Sequence, residues 1–243
     1  MGVKSKAKKA AKLTTPRQPE KRPYPRQDHG IRGLLLDLDG VLVDAADWHR
    51  DAFNLSLEVH GYAPLSQEEH MKDFNGLSSR RKLSMLVERG RVSDDSDVHE
   101  SLHAAKQEYT VKLIEQNCVP FARVIDVLVY ARSIHLKIGC VTNCSRATSI
   151  LMLEKARLVD LFDTIVTNND VNGKIKPHPW PYILAKENLG FANKRKICLA
   201  IDDTWKGIMS AVDAGCRTWK LNKYEDLNVR SLMGCIEALR ITI

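Results

Sequence analysis

Gly33-Leu34-Leu35-Leu36-Asp37-Leu38-Asp39-Gly40-Val41 is the stretch from which the fold is read. A short apolar run without alternation predicts a strand buried on both faces, and the acids and glycine after it predict an abrupt end in a loop. Further along, Ile138-Gly139-Cys140-Val141, Phe162 to Val166 and Ile197 to Ile201 repeat the pattern, and Thr218-Trp219-Lys220-Leu221 reads as a short fifth strand. Helical stretches lie between them, at about 121–134, 145–157, 179–189 and 205–214. The last carries Ile208, Ala211 and Val212 on one face and stops before Gly215, a residue suited to a left-handed helix end. Strands alternating with helices predict an α/β fold: a parallel sheet flanked by helices on both faces.

Residues 46–118 interrupt this alternation. Trp48, Ala52, Leu55 and Val59 recur at helical spacing with Gly61 as a stop. Ser66 and Glu69 have the spacing of a capping box. Val98, Leu102, Ala105, Tyr109 and Leu113 mark a longer helix. The expected organisation is an α/β core made of residues 29–45 and 119–243, with an all-helical insertion at 46–118.

The 243 residues are 44% hydrophobic and 28% charged, close to the globular average. No apolar run approaches the roughly 18 residues of a membrane span, so no span is expected. The net charge of +7 is confined to residues 1–28, which hold nine basic and two acidic residues; the remainder holds 28 of each. A basic groove across the body is therefore not implied. The tail is rich in Lys, Ala, Pro and Gln, with Pro16, Pro19, Pro23 and Pro25 opposing a helix, and it is expected to be disordered. It lacks the apolar segment of a secretory signal, and Lys6 stands where a myristoylation signal needs Ser or Thr. Its Lys4–Lys12 cluster is compatible with a nuclear address, an arm that binds nucleic acid or another polyanion, or a solubilising tail. Six cysteines, at 118, 140, 144, 198, 216 and 235, form no C-x-x-C pair. That favours reduced thiols in a cytoplasmic protein over a zinc site or disulfide framework.

The acids fall at strand ends. Asp37 and Asp39 close the first strand, Thr142-Asn143 the second and Asp202-Asp203 the fourth. In a parallel sheet these carboxyl ends share one edge, where open α/β folds bind ligands. Carboxylates gathered there repel one another unless a cation lies among them, and oxygen donors select a hard one, by default Mg²⁺. Such a cluster beside Thr, Asn and Lys suits phosphoryl transfer through attack by a carboxylate.

Taken together, these residues resemble the motifs of the haloacid dehalogenase superfamily. Asp37-Leu38-Asp39-Gly40-Val41-Leu42-Val43-Asp44 is similar to its D-x-D-G-[VT]-L-x-D motif. Thr142-Asn143 resembles the second motif and Lys176-Pro177-His178-Pro179 the third, K-P-x-P. Asp202-Asp203-Thr204 with Gly207, Ala214 and Gly215 resembles the fourth, although Asp202 stands where Glu is usual. The helical insertion is similar to the small cap of the subgroup containing phosphoglycolate phosphatase and β-phosphoglucomutase.

The resemblance implies a Rossmann-like core and a Mg²⁺-dependent phosphatase acting on a small phosphorylated metabolite. Asp37 would be the nucleophile and Asp39 the general acid and base, a second acid that the dehalogenases lack. Thr142, Asn143 and Lys176 would bind phosphate. Asp37, Asp39, Asp202 and Asp203 would hold the metal. His49, Asn75, Gly76 and Ser78 would be cap contacts, while Arg80, Arg81 and Lys82 read better as a solvated helix face. Two other functions stand beside this one. The first is a phosphomutase, disfavoured by Asn75 and Ser79, which replace the Lys and Arg usual in that subgroup. The second is a binding protein that uses the basic tail on nucleic acid or a partner.

Overall fold

The computed structural model describes residues 30–74 and 77–239. The basic tail, Asn75 and Gly76 lie outside the described residues. Five strands form one sheet: β1 (Gly33–Leu36), β2 (Lys137–Val141), β3 (Thr164–Val166), β4 (Cys198–Asp202) and β5 (Arg217–Lys220). Their order is β3-β2-β1-β4-β5, and every pairing is parallel. The α/β fold expected from the alternation is thus present.

Two strand limits differ from expectation for a visible reason. Phe162 is apolar, but its amide closes a 3₁₀ turn onto the Val159 carbonyl, so β3 begins two residues later. Asp202 is acidic, yet it belongs to β4, because it pairs with Lys220 and its carbonyl accepts from the Leu221 amide.

Helices cover both faces. Leu34, Leu36, Leu199 and Ile201 point to the side packed by α5 (Ala122–Ser133), α6 (Arg146–Lys155) and α9 (Val229–Ala238). Leu35, Cys198 and Ala200 point to the other side, packed by α7 (Trp180–Asn188) and α8 (Trp205–Asp213). Burial on both faces explains why these strands read as unbroken apolar runs.

The interrupting segment holds α1 (Ala46–Val59), α2 (Gln67–Glu69, running on as a π-helical turn over His70–Phe74), α3 (Ser79–Glu88) and α4 (Ser96–Asn117). The Ser66 hydroxyl caps α2 by accepting from the Glu69 amide at 3.1 Å. These helices share a cluster of their own, with Phe53, Leu57, Leu65, Phe74, Leu83, Leu86, Val92 and Leu102 buried together. Trp48 at the start of α1 and Ile114 near the end of α4 pack instead against the main core, so both ends of the segment are tied to it. No helix among the described residues is long and apolar enough to cross a membrane.

Along the chain the strands run outward from β1 to β3, and then β4 returns to the opposite side of β1. This reversal sets the carboxyl ends of β1 and β4 side by side, the place where open α/β sheets bind their ligands. Asp37, Asp202 and Asp203 sit at that point.

Candidate active site

The end of β1 is shaped by backbone bonds. Asp37 continues the strand, its amide donating to the Ile201 carbonyl at 2.9 Å. The chain then folds over itself: the amides of Leu42 and Val43 both donate to the Leu38 carbonyl at 2.9 Å, and that of Gly40 to the Val43 carbonyl at 2.8 Å. Gly40 has φ +78°, and a Cβ there would run into the Asp203 carboxylate. Glycine therefore serves twice, turning the chain and letting the β1 loop meet the β4 loop.

Lys176 joins the strands. Its Nζ donates to Asp37 Oδ1 at 2.8 Å and to Asp202 Oδ2 at 2.8 Å, with only 4% of the side chain exposed. Burial disfavours its charge, but Asp202 and Asp37 outweigh that and raise its pKa well above the ordinary lysine value. The same ion pair splits the two carboxyls. Burial dominates at Asp37 and raises it well above the usual range despite Lys176. At Asp202 burial also raises, but Lys176 and the Thr204 donors win and the carboxyl is lowered.

Asp202 was expected among the metal ligands, but its oxygens are occupied. Oδ1 accepts from the Thr204 amide at 2.9 Å and the Thr204 hydroxyl at 2.7 Å, and Oδ2 accepts from Lys176 and, at 2.9 Å, from the Tyr182 hydroxyl. Gly207 leaves room for it, since a Cβ there would overlap its carboxylate. Asp203 differs. Its Oδ1 is buried with no hydrogen-bond partner, and burial, reinforced by the charge of Asp202, raises its pKa to about 6. Oxygens of Asp37, Asp202 and Asp203 lie within 4.8 Å of one another. A buried carboxylate oxygen without a donor, beside others of like charge, fits a hard cation.

Asp39 faces the helical segment. His49 Nε2 on α1 lies 3.1 Å from its Oδ1, and the Cys144 thiol donates to its Oδ2 at 2.9 Å. Burial works to raise this carboxyl, but His49, Cys144 and the charge of Lys106 on α4 hold it below the ordinary value.

Thr142 is buried at the end of β2, beside the start of α6, and its hydroxyl accepts from the Cys144 amide at 3.0 Å. The Asn143 side chain meets the Lys176 backbone: its Nδ2 donates to the Lys176 carbonyl at 3.2 Å and its Oδ1 accepts from the Lys176 amide at 2.9 Å. It clamps the backbone that presents Lys176. Ser78 is exposed and caps α3 through the Arg81 amide. Arg80 and Arg81 are exposed as expected. Lys82 corrects the reading of a solvated face: it is 6% exposed, 2.9 Å from His70 Nε2 and stacked over the Phe53 ring. It points inward on the apolar side of α3, along with Leu83 and Leu86, which a run of basic residues conceals.

Tyr182, Cys144 and Lys106 were not foreseen as parts of this site. Cys144 lies only two residues beyond Thr142, a signal that was available; Tyr182 and Lys106 reach the site only through the packing of α7 and α4.

A family model described as haloacid dehalogenase-like hydrolase matches residues 34–220. A phosphoglycolate phosphatase of Yersinia pseudotuberculosis is 31% identical over 190 residues, 76% of this chain and 78% of that protein. Another, from Escherichia coli O157:H7, is 28% identical over 206 residues, 76% of this chain and 79% of its own. Among solved structures, a β-phosphoglucomutase from Clostridium difficile superposes with a TM-score of 0.71, covering 87% of this chain and 99% of that one at 20% identity, a likeness of fold.

Proposed function

Because the chain belongs to the haloacid dehalogenase-like hydrolase family, we propose that it is a phosphatase that hydrolyses a small phosphomonoester through an aspartyl-phosphate on Asp37. The observation that carries this reading is the convergence of Asp37, Asp202 and Lys176 in one buried ion-pair cluster, with the orphan oxygen of Asp203 beside it. The phosphoglycolate phosphatases at about 30% identity point the same way.

In this mechanism the Asp37 carboxylate attacks phosphorus while Lys176 offsets negative charge on the transferring group. Thr142 and the amides at the start of α6 hold phosphoryl oxygens. Asp39 donates a proton to the departing oxygen, then takes one from the water that cleaves the acyl phosphate. The bond to His49 holds the carboxyl in place for both steps. Asp203, Asp37 and the Asp39 carbonyl are the groups that would hold Mg²⁺, whose charge would offset that of the phosphoryl oxygens when bound. Asp202 acts through Lys176 and is a positioning residue. Helices α1–α4 serve as a cap. From α4, Lys106 lies close enough for its charge to lower Asp39, and it offers a cation to an anionic substrate group.

The test is phosphate release over a panel of phosphoglycolate, sugar phosphates, nucleoside monophosphates and phosphorylated cofactors. Turnover is expected with Mg²⁺ and lost on chelation. Isomerisation of a sugar phosphate without phosphate release would establish a mutase instead. Absence of reaction with every ester would overturn the enzymatic reading.

A further inference from the structure

Asp39, His49 and Cys144 come from three separate parts of the chain: the β1 loop, the first helix of the inserted segment and the turn after β2. Their ligating atoms nonetheless lie within 4.8 Å of one another. The pairwise distances are 3.1 Å from His49 Nε2 to Asp39 Oδ1, 2.9 Å from Cys144 Sγ to Asp39 Oδ2, and 3.7 Å from Cys144 Sγ to His49 Nε2. Around a tetrahedral zinc ion, sulfur, nitrogen and oxygen donors at their usual bond lengths stand about 3.4–3.6 Å apart. The thiol and imidazole are already near that spacing, and a small rotation of the Asp39 carboxyl brings one oxygen to it.

We propose that Asp39, His49 and Cys144 form a second metal site, distinct from the Asp37–Asp203 cluster, that takes a thiophilic cation of the Zn²⁺ class and stops turnover when filled. The donor chemistry separates the two sites. Asp37 and Asp203 offer oxygen only and suit a hard ion, whereas a thiol, an imidazole and one carboxylate suit Zn²⁺ and are poor ligands for Mg²⁺. All three side chains are partly exposed, so an ion can reach them.

On binding, the Cys144 S–H bond breaks, the proton leaves to solvent and a sulfur–zinc bond forms; no electron changes hands. The thiol proton now given to Asp39 is lost, and that carboxylate becomes a ligand. Inhibition rests on the reading of Asp39 as acid and base; the metal site does not. Because His49 rides on α1, the ion also ties the inserted helices to the core.

The experiment uses the full chain in excess Mg²⁺, so that the oxygen cluster is supplied with its own ion. Co²⁺ serves as the spectroscopic probe, with Zn²⁺ as the competitor. A near-ultraviolet band from thiolate-to-cobalt charge transfer is expected, displaced by Zn²⁺ and absent in Cys144→Ser. His49→Ala weakens binding by at least about tenfold. Zn²⁺ inhibition, scored against each variant's own activity, falls in parallel with binding. No band, or one that survives in Cys144→Ser, overturns the site. A band that depends on Cys144 while Zn²⁺ leaves turnover intact upholds the site and overturns the role assigned to Asp39.

Discussion

Asp37 shows how a single side chain acquires its chemistry from its surroundings. Alone it is one more strand-end acid, of the kind that often caps the next helix. Here it is buried, shares Lys176 with Asp202, and has its pKa raised by burial and by the carboxylates around it. A cation among these oxygens relieves that crowding and leaves the carboxylate ionised for attack. Asp37→Asn keeps the shape and removes the nucleophile, so turnover should fall by at least about 10³-fold while the fold persists. Phosphate release and circular dichroism on the same sample check both halves. Substantial residual turnover would show that another group attacks. Gly207 makes the complementary point: the side chain it lacks is what allows Asp202 to accept four donors.

Among the elements, the inserted helices carry a polar pair that their own core had to accommodate. His70 lies on the π-helical turn after α2 and Lys82 on α3; both are buried, with Lys82 over the Phe53 ring. Burial and the charge of Lys82 lower the His70 pKa from 6.5 to about 4. Burial, with help from Lys106, lowers Lys82 to about 8. The folded chain thus refuses a proton that the unfolded chain accepts between pH 6.5 and about 4. In that window the unfolded state binds more protons, so this group's stabilisation is complete above pH 6.5 and is lost as the pH falls towards 4. Urea midpoints for the natural protein should drop between pH 7 and pH 5 by more than those for His70→Gln. Equal drops would mean that the imidazole titrates as it does in water.

Taken whole, the molecule places every residue of the proposed chemistry within residues 37–203, on one sheet edge and the helices above it. The excess positive charge lies elsewhere, in residues 1–28. Removing those residues should leave turnover nearly unchanged. It should also abolish any salt-sensitive association with a polyanion such as heparin. Kinetics and salt-gradient retention on full-length and shortened chains measure the two effects separately. A large fall in turnover would place the tail within the catalytic unit.

What the sequence alone determined is what local chain physics controls. Strands buried on both faces must be apolar throughout, helices must repeat every three to four residues, and a parallel sheet must gather its strand ends on one edge. Those constraints made the α/β layers and the helices between β1 and β2 legible from residue order, and they raised the expectation that Asp37, Asp39, Thr142 and Asp203 gather. Only the tertiary structure decided which oxygens of that group are already occupied. Asp202 ends β4 and Asp203 follows it, yet one is bonded to Lys176 and Tyr182 while Oδ1 of the other has no donor. It also turned Asn143 towards the Lys176 backbone, buried Lys82 and brought Cys144 and His49 to Asp39. Each of these depends on side chains meeting across elements far apart in the chain, a property of packing that neither spacing nor composition encodes.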